Sequence, residues 1–132
     1  MAVRSQVGGA AWPVRSDAFN SDCPAREVLD HITSRWGVLI LTALGGGPLR
    51  FSELRGMIGG ISEKMLSQTL RTLVRDGLVA RSVEPTTPPR VNYELTALGR
   101  SLSVSLQQFL EWIRRHTAEV VAAQHEHDRR SR

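Results

Sequence analysis

The chain has 132 residues, a net charge of +4, 41% hydrophobic and 23% charged residues. That length suits one domain with its own core, and the composition excludes whole-chain disorder. The single cysteine, Cys23, excludes an intramolecular disulfide framework and a cysteine-based zinc finger, and the longest apolar stretch, residues 38–44 with Thr42 inside it, is far too short to span a bilayer.

Residues 1–21 read as a flexible arm: Gly8-Gly9, Pro13, Ser16 and Asn20 stand among few apolar residues. Arg4, Gln6, Pro13, Arg15 and Asp17 interrupt any apolar core of the kind a signal peptide needs, so a soluble cytoplasmic protein is expected. A domain over residues 22–121 follows, and the polar residues 122–132 are expected to form a fraying tail.

Cys23-Pro24 opens the first helix, because proline suits the first helical position; Val28, Leu29 and Ile32 form its apolar stripe. A second helix, about residues 36–44, is apolar nearly all round and is expected at the centre of the domain. Gly45-Gly46-Gly47-Pro48 ends it. A short helix over about residues 51–58 carries Phe51, Leu54 and Ile58 on one side and stops at Gly59-Gly60. Ser62 then offers a hydroxyl cap for a helix reaching Asp76-Gly77, without the acidic residue three places on that would complete a capping box. Leu66, Leu70, Leu73 and Val74 share one face of this helix, and Lys64, Ser67, Gln68, Arg71 and Arg75 fall on the other.

The period then changes from 3.6 to 2. Residues 79–83 and 91–95 read as two strands around a proline-rich loop containing Pro85, Pro88 and Pro89. Thr96 caps a long final helix whose stripe is Leu102, Leu106, Phe109, Leu110 and Ile113. The expected fold is mainly α with a small two-stranded β wing: a winged helix-turn-helix with extra helices at both ends. Little domain remains to cover Val28, Leu29 and Ile32 together with Leu102, Leu106, Phe109, Leu110 and Ile113, so these stripes are expected to pair two copies into a homodimer.

A helix that reads a DNA major groove must show polar side chains outward while its other face packs on the domain. The helix after Ser62 has that division. Lys64 and Arg71 suit phosphate or guanine, Gln68 suits a bidentate pair with adenine, and Ser67 is short enough for close approach. Arg90 on the wing suits a phosphate or the minor groove. Sixteen of the seventeen basic residues are arginine, whose planar fork matches phosphate and guanine edges; a biased base composition of the gene gives the same count.

Arg35-Trp36, Leu49-Arg50-Phe51-Ser52-Glu53-Leu54, Ile61-Ser62-Glu63-Lys64-Met65-Leu66, Asp76-Gly77-Leu78 and Pro88-Pro89-Arg90-Val91-Asn92-Tyr93-Glu94-Leu95-Thr96 together resemble the HxlR-type helix-turn-helix regulators, relatives of MarR-like winged-helix proteins. The resemblance spans about residues 22–116. It implies a dimer that binds double-stranded DNA at an inverted-repeat operator and regulates transcription. It also implies a recognition helix over residues 63–75 and a wing over residues 86–90, with Thr86, Thr87 and Arg90 near DNA. Arg50, Ser52 and Ser62 then stand at helix starts, where N–H groups hold phosphate. Arg35 departs from the lysine common before the tryptophan, with the charge unchanged.

Cys23 is a candidate redox sensor, since a helix start favours a thiolate and Arg26 adds positive charge while Asp22 opposes it. Some members of the family use such a cysteine as a thiol switch, so a small-molecule or oxidant inducer is a candidate partner; the plain alternative is an inert cap. No cofactor, metal site or membrane partner is expected. His125 and His127 flank Glu126 as solvated tail residues, and His31 and His116 are isolated. An enzyme is not expected: Gly45-Gly46-Gly47 lacks the Lys-Ser/Thr of a phosphate loop, and no nucleophile–base spacing is visible. The alternative to a DNA-binding regulator is a winged-helix protein-interaction module, which calls for exposed apolar residues where Lys64, Ser67, Gln68, Arg71 and Arg75 stand.

Overall fold

A computed structural model describes residues 18–131. The elements run α1 (Pro24–Thr33), α2 (Arg35–Leu44), β1 (Leu49–Arg50), α3 (Phe51–Met57), α4 (Glu63–Arg75), β2 (Val79–Glu84), β3 (Arg90–Leu95) and α5 (Ala97–Arg130). Helix α2 is the centre: Ile40 and Leu41 are fully buried, and Leu54 of α3, Leu66, Leu70 and Leu73 of α4, Val79 and Leu95 of the sheet and Leu106 of α5 join one core. Each such aliphatic side chain contributes about 1.5–3 kcal/mol on leaving water.

Local chemistry sets the element ends. Ser34 interrupts the chain between α1 and α2, and its hydroxyl accepts from Gly37 N–H at 2.9 Å, so α2 is capped where α1 stops. Ser62 Oγ accepts from Met65 N–H at 3.0 Å, and Thr96 Oγ1 accepts from Gly99 N–H at 3.0 Å. At the start of α3, Glu53 accepts from Arg50 N–H at 2.8 Å; this is half a capping box, since a guanidinium has no acceptor to complete it. Helix α4 ends at Gly77, φ +76°, with Gly77 N–H on Val74 O and Leu78 N–H on Leu73 O, the paired bonds of a Schellman turn. That turn aims the chain into β2. Gly99 is required by proximity: a Cβ there would lie 2.0 Å from the Leu78 carbonyl oxygen, so α5 seats directly on the α4–β2 connection.

The structure corrects several expectations. The wing belongs to a three-stranded antiparallel sheet in the order β1-β3-β2, with Leu49 opposite Tyr93, Arg50 opposite Asn92 and Val79 opposite Leu95. A two-residue strand is too short to show a period, which hid β1. The polar residues assigned to a fraying tail continue α5 to Arg130. Elongating an existing helix carries no nucleation cost, and Glu126 pairs with both Arg129 and Arg130 one turn on. Farther up the same helix Glu111 accepts from Arg114 at 2.5 and 3.0 Å, and this bond holds its carboxyl below the usual carboxylate range. Of the expected arm, residues 18–21 lie within the turns before α1: Asn20 O accepts from Cys23 N–H, and Arg26 donates to the carbonyls of Ala18 and Phe19. Residues 1–17 lie outside the described residues.

The interface stripe also divides. Leu106 is 8% exposed and lies in the core of its own chain, with Ile32, Leu102 and Leu110 packed partly buried against that core. The reason is the seat of α5 at Gly99, which turns the first three turns of the helix onto α2. Val28, Leu29, Phe109 and Ile113 stay exposed, joined by Trp112, Val120 and Val121. Among the described residues no helix is long and apolar enough to cross a membrane.

Candidate nucleic-acid interface

Helix α4 is divided as its sequence requires. Leu66, Leu70 and Leu73 are at most 1% exposed, while Lys64, Gln68, Arg71 and Arg75 are exposed and Ser67 is half-buried. Its start is tied to α3 by Arg55 Nη1 on Glu63 Oε1 at 2.8 Å. That pair is exposed and worth at most about 1 kcal/mol. Buried Leu54, Ile58 and Ile61 under the turn do more to fix the angle between the two helices.

Arg71 donates to Ser67 Oγ at 3.2 Å, one turn back, which lays its guanidinium along the helix. Between α4 and the sheet lies a cleft of about 310 Å³ bounded by Ser67, Arg71, Arg81 and Tyr93 over Leu70 and Val74. Arg81 was not among the sequence candidates; its signal was the alternation of β2, which puts Arg81 on the face of Val79 and Val83. Lys64 and Gln68 make no side-chain bond among the described residues. Ser62 lends its oxygen to the cap and keeps its hydroxyl hydrogen to donate.

The wing candidates gather with the start of α3. Arg50, Ser52, Thr86, Thr87 and Arg90 line one open groove of about 560 Å³, with Phe51, Pro88, Pro89 and Val91 forming its apolar part. Strand β1 makes this possible: pairing Arg50 with Asn92 sets the start of α3 beside the wing. Thr86 Oγ1 donates to Pro88 O at 2.7 Å, and Asn92 donates to Glu84 at 2.5 Å, so the loop is braced from both sides. The structure therefore gathers the sequence candidates into two sets, one along α4 and one between α3 and the wing.

Cys23 stands apart from both sets. It is the N-cap residue of α1, with extended backbone (φ −83°, ψ 136°), no side-chain cap bond and intermediate burial. Arg26, expected to favour its thiolate, spends its guanidinium on the carbonyls of Ala18 and Phe19, at 2.6 and 3.2 Å. Sequence reasoning left His31 unassigned. It bonds Asp76 at the end of α4, a pairing 45 residues apart that no local period announces.

Comparison with known proteins bears on this arrangement. The HxlR-like helix-turn-helix family matches residues 31–121. The chain is 48% identical over 122 residues to the uncharacterized HTH-type transcriptional regulator YtfH of Escherichia coli, covering 92% of this chain and 97% of that one. The structure of the putative transcriptional regulator ytfH from Salmonella typhimurium is similar at a TM-score of 0.78 and 47% identity, over 83% of this chain and 98% of that chain. The diamide-treated form of YodB from B. subtilis is similar at a TM-score of 0.61 and 35% identity, over 72% and 95% of the two chains. All three relatives carry the name of a transcriptional regulator. The chain is a transcriptional regulator of the HxlR-like helix-turn-helix family.

Proposed function

We propose that this regulator binds double-stranded DNA sequence-specifically as a homodimer, with α4 in the major groove and the loop between β2 and β3 on the flanking backbone. One observation carries the reading: α4 buries Leu66, Leu70 and Leu73 and turns Lys64, Gln68, Arg71 and Arg75 to solvent, while the groove between α3 and the wing adds Arg50 and Arg90. In this reading Gln68, at the middle of the polar face, reads a base edge, with Ser67 allowing close approach. Arg71, Lys64 and Arg75 divide between bases and phosphates. Arg50, Ser52, Ser62, Thr86, Thr87 and Arg90 hold the backbone and fix the register.

The homodimer reading is supported by apolar surface that stays uncovered among the described residues. Phe109 and Trp112 are each 53% exposed, with Ile113, Val120 and Val121 along the same helix and Val28 and Leu29 on α1. Isologous pairing of this surface gives two copies of α4 related by a two-fold axis, matched to an inverted repeat with half-sites about 34–36 Å apart.

The thiol-response part of the reading rests on Cys23 at a helix start and on a relative whose solved form is diamide-treated. Diamide oxidises thiols. With one cysteine per chain, the product is a disulfide between chains or to a small thiol.

The test is selection of duplexes from a random pool by the purified protein, then footprinting with and without diamide. The expected result is an inverted repeat with two protected half-sites. Failure to enrich any sequence, with capture of a protein through the α4 face instead, overturns the DNA reading in favour of an interaction module.

A further inference from the structure

Helix α1 is attached to the rest of the chain in an unusual way: none of its ten residues is buried. Its apolar anchor is Ile32, half-buried against the core. Its polar anchor is His31, whose Nδ1 lies 2.7 Å from Asp76 Oδ2, with the two side chains only 22% and 13% exposed. A carboxylate only accepts, so Nδ1 carries the hydrogen. Glu27, one turn earlier on α1, faces the same group at 3.7 Å from His31 Nε2 and lies 3.9 Å from Arg75 Nη1. Of these contacts only the one between His31 and Asp76 is a hydrogen bond; Glu27 stands beside it, within ion-pair range of His31 and Arg75.

Asp76 is the C-cap residue of α4. A carboxylate there opposes the helix dipole, and the left-handed turn at Gly77 needs no acid before it. Helix geometry therefore does not account for Asp76. The bond to His31 does. The bond joins the helix that opens at Cys23 to the last turn of the helix that carries Gln68, Arg71 and Arg75.

We propose that His31 and Asp76 are positioning residues: their bond couples the placement of α1 to that of α4 and so sets how well the polar face of α4 matches a specific sequence. The inference rests on the DNA reading above. A base-reading helix loses discrimination when displaced by a fraction of a hydrogen-bond length, whereas phosphate contacts tolerate the same shift.

The experiment uses the full chain, a duplex selected by the wild type and a scrambled duplex of the same length and composition. Affinities for both are measured for the wild type, His31→Ala, Asp76→Ala, the double variant and His31→Asn, with amide hydrogen exchange over residues 24–33 alongside. Each alanine variant is expected to lower the selected-to-scrambled affinity ratio about tenfold, with the double variant no worse than either, as coupled partners require. His31→Asn sets an amide N–H close to the place of Nδ1 and is expected to restore the ratio to within about threefold. Exchange in α1 should quicken in His31→Ala and slow again in His31→Asn. Equal losses on both duplexes, additive losses, or an unchanged ratio overturn the proposal. If Asp76→Ala does not fold, the His31→Ala and His31→Asn pair decides: equal ratios overturn it. A wild type that does not discriminate between the duplexes overturns the DNA reading itself, and with it this proposal.

Discussion

Helix α4 and the outer helices treat apolar residues in opposite ways. In α4, Leu66, Leu70 and Leu73 are buried within one chain, and what remains outside is polar. In α1 nothing is buried, and in α5 the burial stops after Leu106, leaving Phe109, Trp112, Ile113, Val120 and Val121 in solvent. The first region is complete in the monomer, and its outer face is charged and hydrogen-bonding. The second keeps, among the described residues, an outer face of apolar area that water disfavours. The two outer faces thus suit partners of different kinds, and substitutions should separate them.

The sharpest contrast lies within α5, three residues apart. Leu106→Asp places an uncompensated charge in the core and should cost more than about 4 kcal/mol, enough to unfold the chain in a denaturant or thermal melt. Phe109→Asp should leave the helical content and the folded monomer intact while sedimentation shifts from dimer to monomer. If Phe109→Asp unfolds the chain as Leu106→Asp does, the division of α5 into a core half and an interface half is wrong.

On α4, Gln68→Ala should lose about 1–3 kcal/mol per half-site on the selected sequence and little on random DNA, measured by paired titrations. Arg90→Ala on the wing should weaken both duplexes nearly alike and flatten the salt dependence by about one unit per lost phosphate contact. The reverse pattern would exchange the roles of helix and wing. Preference shifted only towards narrow A·T tracts would place Arg90 in the minor groove.

The smallest effect is expected at Cys23, which makes no side-chain cap bond. Cys23→Ser supplies a better capping oxygen and should raise stability by about 0.5–1 kcal/mol. Its DNA affinity should match the reduced wild type, and diamide should no longer change it. A wild type indifferent to diamide in the same titration leaves Cys23 as a plain helix start.

Periodicity and local stop signals placed α2, α3, α4, both long strands and the starts of α1 and α5 to within a residue or two, because residues such as Pro24, Gly45, Ser62, Gly77 and Thr96 give a local reason to begin or stop; the end of α5 was missed, at Arg130 and not near residue 121. The polar face of α4 was legible for the same reason, since 3.6-residue spacing sorts Lys64, Gln68, Arg71 and Arg75 from Leu66, Leu70 and Leu73 without reference to the rest of the chain. Where a feature depends on what a distant segment supplies, spacing is silent. Strand β1 exists because Leu49 and Arg50 find Tyr93 and Asn92, and that pairing is what sets Arg50 beside the wing. Leu106 and Phe109 belong to one stripe by sequence, and only the seat of Gly99 on Leu78 decides that the first is core and the second surface. His31 and Asp76 are unremarkable residues at two helix ends until the packing of α1 against α4 brings their side chains within 2.7 Å. Local backbone preference and the burial of a periodic face are properties of a few consecutive residues, so the sequence by itself determined the helix-turn-helix and its outward chemistry; the meeting of segments tens of residues apart is decided by the whole core, and only the tertiary structure could supply it.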